Sequence, residues 1–389
     1  MGKFEHVDAL LKRFTETGGP AGVACAVAQN GKILYEGYHG LADLEQQKPI
    51  TPETVFRLYS MTKVIVCTAG MMLYERGYFN LHDPLHEYIP EFKDALVYKQ
   101  KENGEYIAVP ALRAPRIQDA FTMSIGYPYP EWSDTPTGHD LTKLHRELAS
   151  DPSKFTLQNV VRTAAKVPML FEPGEHWQYG LGHDIVAALI EVVSGRTIGE
   201  FLQEEIFDPL GMKDTGYRFR GDIAKRMATV YEISPEGRKP ATTIPFDAYH
   251  APDSKYEGGG AGLYSTVRDY LTFSQMLANG GVHNGEKIIG RKTIDLMRTN
   301  YLNETQLAEY SGVPYHAGYG YGLGVRTLID PVKANANSSL GEFGWSGMAG
   351  TWTSIDPSEG LSIVYMHQTF PHMEEYYHLR LRAAVYGCL

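Results

Sequence analysis

Hydrophobic and polar positions follow two rhythms along this chain, one of helices and one of strands. At the N-terminus Phe4, Val7, Leu10, Leu11 and Phe14 recur at spacings of three and four, which predicts an amphipathic helix ending at Gly18-Gly19. The rhythm then changes to alternation in "GVACAVAQNGKILYEGYHG", predicting two strands around the Asn30-Gly31 turn. A long apolar helix is expected from Ser60 to Glu75, followed by a turn and short helix in "GYFNLHDPLHEYIPEF". From Asp94 to Lys154 neither rhythm holds, and the stretch reads as an irregular lid or wall. Helical spacing returns at Leu157–Lys166, Gly182–Gly195, Thr197–Ile206 and Ser265–Gly281, with Ser265 as the expected N-cap of the last. Two more strands flank a turn at Asp356–Gly360, and a helix from Met373 to Tyr386 closes the chain.

Strands at both ends and helices between them predict an α/β (α+β) fold. One antiparallel sheet is built from residues 1–75 and 285–389, flanked by helices. Residues 76–284 form an inserted, mostly helical domain that carries the 94–154 wall. No repeat or low-complexity linker interrupts the plan. A ligand site is expected at the seam between the two parts.

Composition narrows the functions. The chain has 389 residues and a formal charge of −10, with no basic stripe, so nucleic acid is excluded as a partner. No apolar run reaches the length of a membrane span, and no secretory leader is visible, so the reading is cytoplasmic. The three cysteines, Cys25, Cys67 and Cys388, read as reduced. His82 and His86 stand in H-D-P-L-H rather than H-E-x-x-H and read as surface or turn residues. No G-x-S-x-G is present, and the glycine runs 258–262 and 318–324 lack the setting of a nucleotide loop. Neither a cofactor nor a metal is expected.

Three segments carry candidate chemistry. Ser60 and Lys63 lie three apart at the head of the most apolar helix, where they share a face. A serine hydroxyl needs a base before it becomes a nucleophile, and a desolvated lysine can serve. Tyr179 follows the Pro173-Gly174 turn in "FEPGEHWQYGLGHD", where a phenol could shuttle a proton. In "GWSGMAGTW" small residues within a strand permit close approach of a ligand, and the strand edge offers N–H groups to an oxyanion.

In this order, S-x-x-K, a tyrosine after Pro-Gly and a W-[GS]-G strand resemble the serine β-lactamase and penicillin-binding-protein superfamily. The chain is most similar to the class C β-lactamase-like, or family VIII, carboxylesterases. "PLGMKDTGY", "GGGAGLYSTVRDYLTFSQMLANGG" and "YGYGLGV" add to the likeness, which covers roughly residues 20–385. The resemblance implies a β-lactamase/transpeptidase-like fold, with Ser60 as nucleophile, Lys63 as its activating partner and Tyr179 as acid/base. It implies an oxyanion hole from the backbone N–H groups of Ser60 and Met348, and a substrate-binding strand of Trp345, Ser346 and Gly347. There are departures. Gly180-Leu181 replaces the Ser-Asn that follows the tyrosine in class C enzymes, Met123-Ser124 replaces a His-Thr pair, and Trp345 stands where the lactamases carry a lysine. That lysine helps hold a carboxylate, so its loss turns the expectation from lactams and D-peptides to uncharged esters. The implied function is a metal-free serine hydrolase of short-chain carboxylic esters, with weak β-lactam hydrolysis on the side. Acyltransferase and D-amino-acid amidase or peptidase are the alternatives within the superfamily, and a binding or assembly protein that keeps the fold without turnover is the alternative of a different class. From the wall, Tyr127, Tyr129 and Trp132 are expected to line the acyl pocket.

Overall fold

The structure is a computed structural model and describes residues 2–16 and 18–389. Helix α1 (Glu5–Glu16) leads into strands β1 (Gly22–Gln29), β2 (Lys32–Asp43) and β3 (Lys48–Pro49), and then into helix α2 (Thr62–Glu75). The middle of the chain holds α3 (Gly182–Ser194) and α4 (Val267–Ala278) among shorter helices. Strands β4 (Tyr319–Tyr321), β5 (Arg326–Leu328), β6 (Phe343–Gly344), β7 (Trp352–Asp356) and β8 (Leu361–Met366) follow, and α5 (Glu374–Tyr386) ends the chain. The sheet runs β4-β5-β6-β7-β8-β1-β2-β3, antiparallel throughout. The two termini meet at its centre, where β1 pairs with β8 in the register Ala24↔Met366 to Gln29↔Leu361.

The alternation in β1 explains the layering. Val23, Cys25 and Val27 point to the face covered by α1 and α5, where they join Leu11, Phe14, Tyr365 and Leu381. Ala24, Ala26 and Ala28 point to the other face and enter the main core. Their small side chains admit α4, which lies across β1, β7 and β8. Residues 267–278 thus pack on the sheet although they precede the boundary expected at 285.

Two expectations are corrected. The stretch 94–154 is not irregular: it contains a hairpin of Leu96–Gln100 with Tyr106–Pro110 and helices at Ile117–Phe121 and Pro136–Ala149. The hairpin is mostly exposed, so it lacks the one-sided apolar alternation that marks a half-buried strand. Helix 136–149 does carry a signal, the Thr135 cap before Pro136. The N-cap of α4 is Thr266, not Ser265. Ser265 instead belongs to a short strand, Tyr264–Thr266, that pairs with Val55–Arg57.

Candidate active site

That short pairing brings together segments about two hundred residues apart, and it continues beyond its strands. Leu58 N–H donates to Leu263 O at 2.9 Å, and Leu263 N–H donates to Thr62 Oγ1 at 3.1 Å. The loop Gly258–Gly262 is thereby held against the head of α2. Ser60 sits in a single tight turn, Tyr59–Met61, immediately before α2. Tyr59 takes a left-handed conformation there (φ +46°), a strained backbone beside the residue expected to react.

Lys63, fully buried in the first turn of α2, directs its Nζ at three oxygens. They are Ser60 Oγ at 3.1 Å, Tyr129 OH at 2.9 Å and Gly260 O at 2.6 Å. The Tyr179 ring lies 4.6 Å from the same nitrogen, as a cation–π partner. Tyr129, expected in the acyl pocket, thus also holds the lysine. Burial pushes the Tyr129 phenol well up, and the charge of Asp184 and then Tyr179 add to it, so it remains an O–H at neutral pH.

Two participants were not among the expected site residues. Asp184 Oδ1 accepts from Gly259 N–H at 3.0 Å, Gly260 N–H at 3.3 Å and Tyr256 OH at 3.1 Å, which fixes the loop that offers Gly260 O to Lys63. Burial raises the Asp184 carboxyl, against the lowering effect of Lys63 and these donors. Gly260 is the other. A Cβ there would stand 2.2 Å from Tyr129 OH and 2.7 Å from Asp184 Oδ2, so only glycine allows this carbonyl its position. The glycine run that fits no nucleotide loop was the available signal.

The segment Trp345–Met348, expected as strand, instead follows the short β6 and is bridged to β7 only at Ser346↔Trp352; it closes the site from the other side. A Cβ on Gly347 would lie 2.2 Å from Leu58 O, so this backbone rests directly on the serine turn, where Thr351 Oγ1 also donates to Leu58 O at 3.0 Å. Trp345 Nε1 donates to Tyr179 OH at 3.2 Å, and the two rings stack with centroids 5.8 Å apart. Ser60, Tyr129, Trp132, Tyr179, Trp345, Ser346, Gly347 and Met348 all line one cavity of about 300 Å³. Tyr127 does not. It is buried behind the wall, with its hydroxyl on Val167 O and its ring against Phe92. The cavity also takes in Tyr59, Trp177, Phe246, Tyr315, His316 and Glu374, none of them expected from sequence. Among the described residues no cluster of three His, Cys, Asp or Glu side chains forms a metal site.

A buried lysine on a serine at the seam of an antiparallel sheet and a helical region defines a serine hydrolase of the penicillin-binding-protein class. The β-lactamase family model matches residues 7–386, and the chain belongs to that family. It is 28% identical over 369 residues to an uncharacterised protein of Mycobacterium tuberculosis, covering 94% of this chain and 90% of the relative. Identity to esterase EstB of Burkholderia gladioli is 28% over 398 residues, covering 98% and 95%. Among solved structures, EstCE1, described as a hydrolase with promiscuous acyltransferase activity, superposes with a TM-score of 0.81 at 25% identity, covering 99% of this chain and 98% of its own. Simvastatin synthase (LovD) of Aspergillus terreus shares the fold at a TM-score of 0.82 and 20% identity, covering 99% and 98%. No helix among the described residues is long and apolar enough to cross a membrane.

Proposed function

We propose that the protein is a carboxylesterase that works through an acyl-enzyme on Ser60. The observation that carries this reading is Lys63 Nζ at 3.1 Å from Ser60 Oγ, beside an aromatic cavity whose lining, among the described residues, contains no lysine or arginine. Lys63, once neutral, takes the Ser60 proton as Oγ adds to the ester carbonyl. The backbone N–H groups of Ser60 and Met348 stabilise the oxyanion, the kind of contribution that is usually largest in acyl transfer. Tyr179 returns a proton to the departing alcohol, and water then releases the acid. Trp345 in place of the lactamase lysine leaves no cation to hold a substrate carboxylate, which favours esters over lactams and D-peptides. The likeness to EstB supports the same choice.

Transfer of the acyl group to a second alcohol is the other reading, favoured by the likeness to EstCE1 and by an aromatic cavity that can hold an acceptor in place of water. The test is hydrolysis of p-nitrophenyl butyrate in a chelator by the wild type and by Ser60→Ala. The wild type should turn over unaffected by the chelator, and the alanine variant should fall to background. Equal rates in the two proteins would remove Ser60 from the mechanism. Adding a primary alcohol and following the new ester separates transfer from hydrolysis.

A further inference from the structure

Among the described residues, Glu374 is the one carboxylate in the lining of the catalytic cavity. It begins α5, and its Oε2 accepts the Ser346 hydroxyl at 2.7 Å, one residue along from the tryptophan that contacts Tyr179. Its ion-pair neighbours are imidazoles, His372 and His378, each at 3.9 Å. Burial pushes the Glu374 carboxyl up, but His378, His372 and the Ser346 hydroxyl outweigh it and hold it down at about 2, so it is a carboxylate at working pH. Two arginines lie behind it, away from the catalytic cavity. Of these, Arg326 faces Glu342 at 3.4 Å and Arg382 donates to the Tyr319 hydroxyl.

The direction of the chemistry says which part of a substrate meets this charge. Tyr179 must reach the leaving oxygen, and Trp345 Nε1 is bonded to Tyr179 OH. The alcohol arm therefore leaves Ser60 along Trp345 and Ser346, toward Glu374. Trp345, Tyr315, His316 and Trp177 present aromatic surface on the way. Aromatic faces next to one carboxylate form a site for an organic cation, stabilised by ring quadrupoles and by direct charge. An anion there meets the Glu374 charge, and the net charge of −10 adds long-range attraction for cations.

We propose that Glu374 and the aromatic residues around it select esters whose alcohol arm carries a fixed positive charge, such as a quaternary ammonium. This rests on the Ser60 acyl-enzyme reading and names the substrate class of that same site.

The experiment compares three butyryl thioesters at about pH 8, above the ordinary imidazole range. They are butyrylthiocholine, its neutral isostere S-(3,3-dimethylbutyl) thiobutyrate, and S-butyryl-3-mercaptopropanoate. In each, water adds across the acyl C–S bond to give butyrate and a free thiol, which a disulfide dye reports. The wild type should favour the cation over the isostere by about tenfold in kcat/KM, and the isostere over the anion by a similar factor. In Glu374→Gln the cation-to-isostere ratio should drop toward one. Inhibition of the wild type by choline and by 3,3-dimethylbutan-1-ol gives a second measurement free of any variant, and choline should bind more tightly. Equal kcat/KM for cation and isostere, or equal inhibition, overturns the proposal while the esterase reading stands. A preference that survives Glu374→Gln also overturns it and leaves Glu374 as a counter-ion to the arginines behind. Loss of all thioester and p-nitrophenyl butyrate turnover would instead bring down the Ser60 reading itself.

Discussion

Lys63 has no carboxylate among its hydrogen-bond partners, and its position depends on neutral oxygens held by other groups. Asp184 is the most consequential of those supports, because one of its oxygens organises two successive backbone N–H groups of the loop that ends in Gly260 O. Substitution by alanine leaves those donors and the Tyr256 hydroxyl buried without an acceptor, at a cost of about 1–3 kcal/mol for each group left unpaired. Asp184→Ala is therefore expected to lower kcat by about tenfold or more together with Tm, since the carbonyl that fixes Lys63 shifts. Asp184→Asn keeps an acceptor oxygen and should retain most of both. Kinetics and thermal melts on the two variants check this, and indistinguishable behaviour would remove the positioning role. Ser60 and Lys63 were legible at this scale because their spacing on a helix is itself the signal. Asp184 was not, since one aspartate in an apolar helix carries no local mark of the loop it will meet.

At the scale of elements, the site depends on three chain segments that meet around one residue. The turn at Tyr59–Met61, the loop at Gly258–Gly262 and the segment at Trp345–Met348 are locked by Leu58, whose N–H and C=O are both engaged across chain segments. Gly347 is the point of closest approach, with no room for a Cβ. Gly347→Ala is predicted to push this segment away from the serine and misplace the Met348 N–H. Loss of one oxyanion donor costs about 10²–10³ in kcat. The measurement is kcat with KM on p-nitrophenyl butyrate, supported by near-UV circular dichroism to show that packing elsewhere persists. An unchanged kcat would mean that this segment does not supply the second donor. Helices α1 to α5 and the hairpins β1–β2 and β7–β8 were readable because each has its own period, whereas the helix Pro136–Ala149 was missed. The 96–110 hairpin was missed as well, because its exposed residues have no buried face to impose a period.

Across the whole molecule, several histidines are buried in the neutral form. His183 is held at about 3 by burial and then by the charge of Lys63, and His316 at about 4 by burial above all. Burial also keeps His367 well below the ordinary range. As pH falls through about 6.5 the unfolded chain takes up protons that the native state refuses, so stability is complete above that value and is lost below it. His183 alone contributes a loss of about 3 kcal/mol by pH 4. Asp269 works the other way. Its carboxyl is raised to about 6 by burial, so it binds a proton in the native state first and recovers part of the loss as pH falls below that value. The histidines outnumber it, and Tm should fall between about pH 7 and pH 4.5. Calorimetry on the wild type and on His183→Gln checks this, with a flatter profile expected for the variant. A wild-type Tm independent of pH in that window would contradict it.

What the sequence determined by itself was local or periodic: the helices, the central hairpins, the union of the two termini in one sheet, and the order of motifs that marks the family. Such features depend on residues a few positions apart, and their spacing is written in the chain. Tertiary structure alone decided that Tyr129 holds Lys63 while Tyr127 turns into the core, that Gly260 and Asp184 set the lysine's surroundings, and that Glu374 enters the cavity from the last helix. Each of those depends on packing between segments far apart in sequence, where distance and burial, rather than spacing, set what a side chain meets.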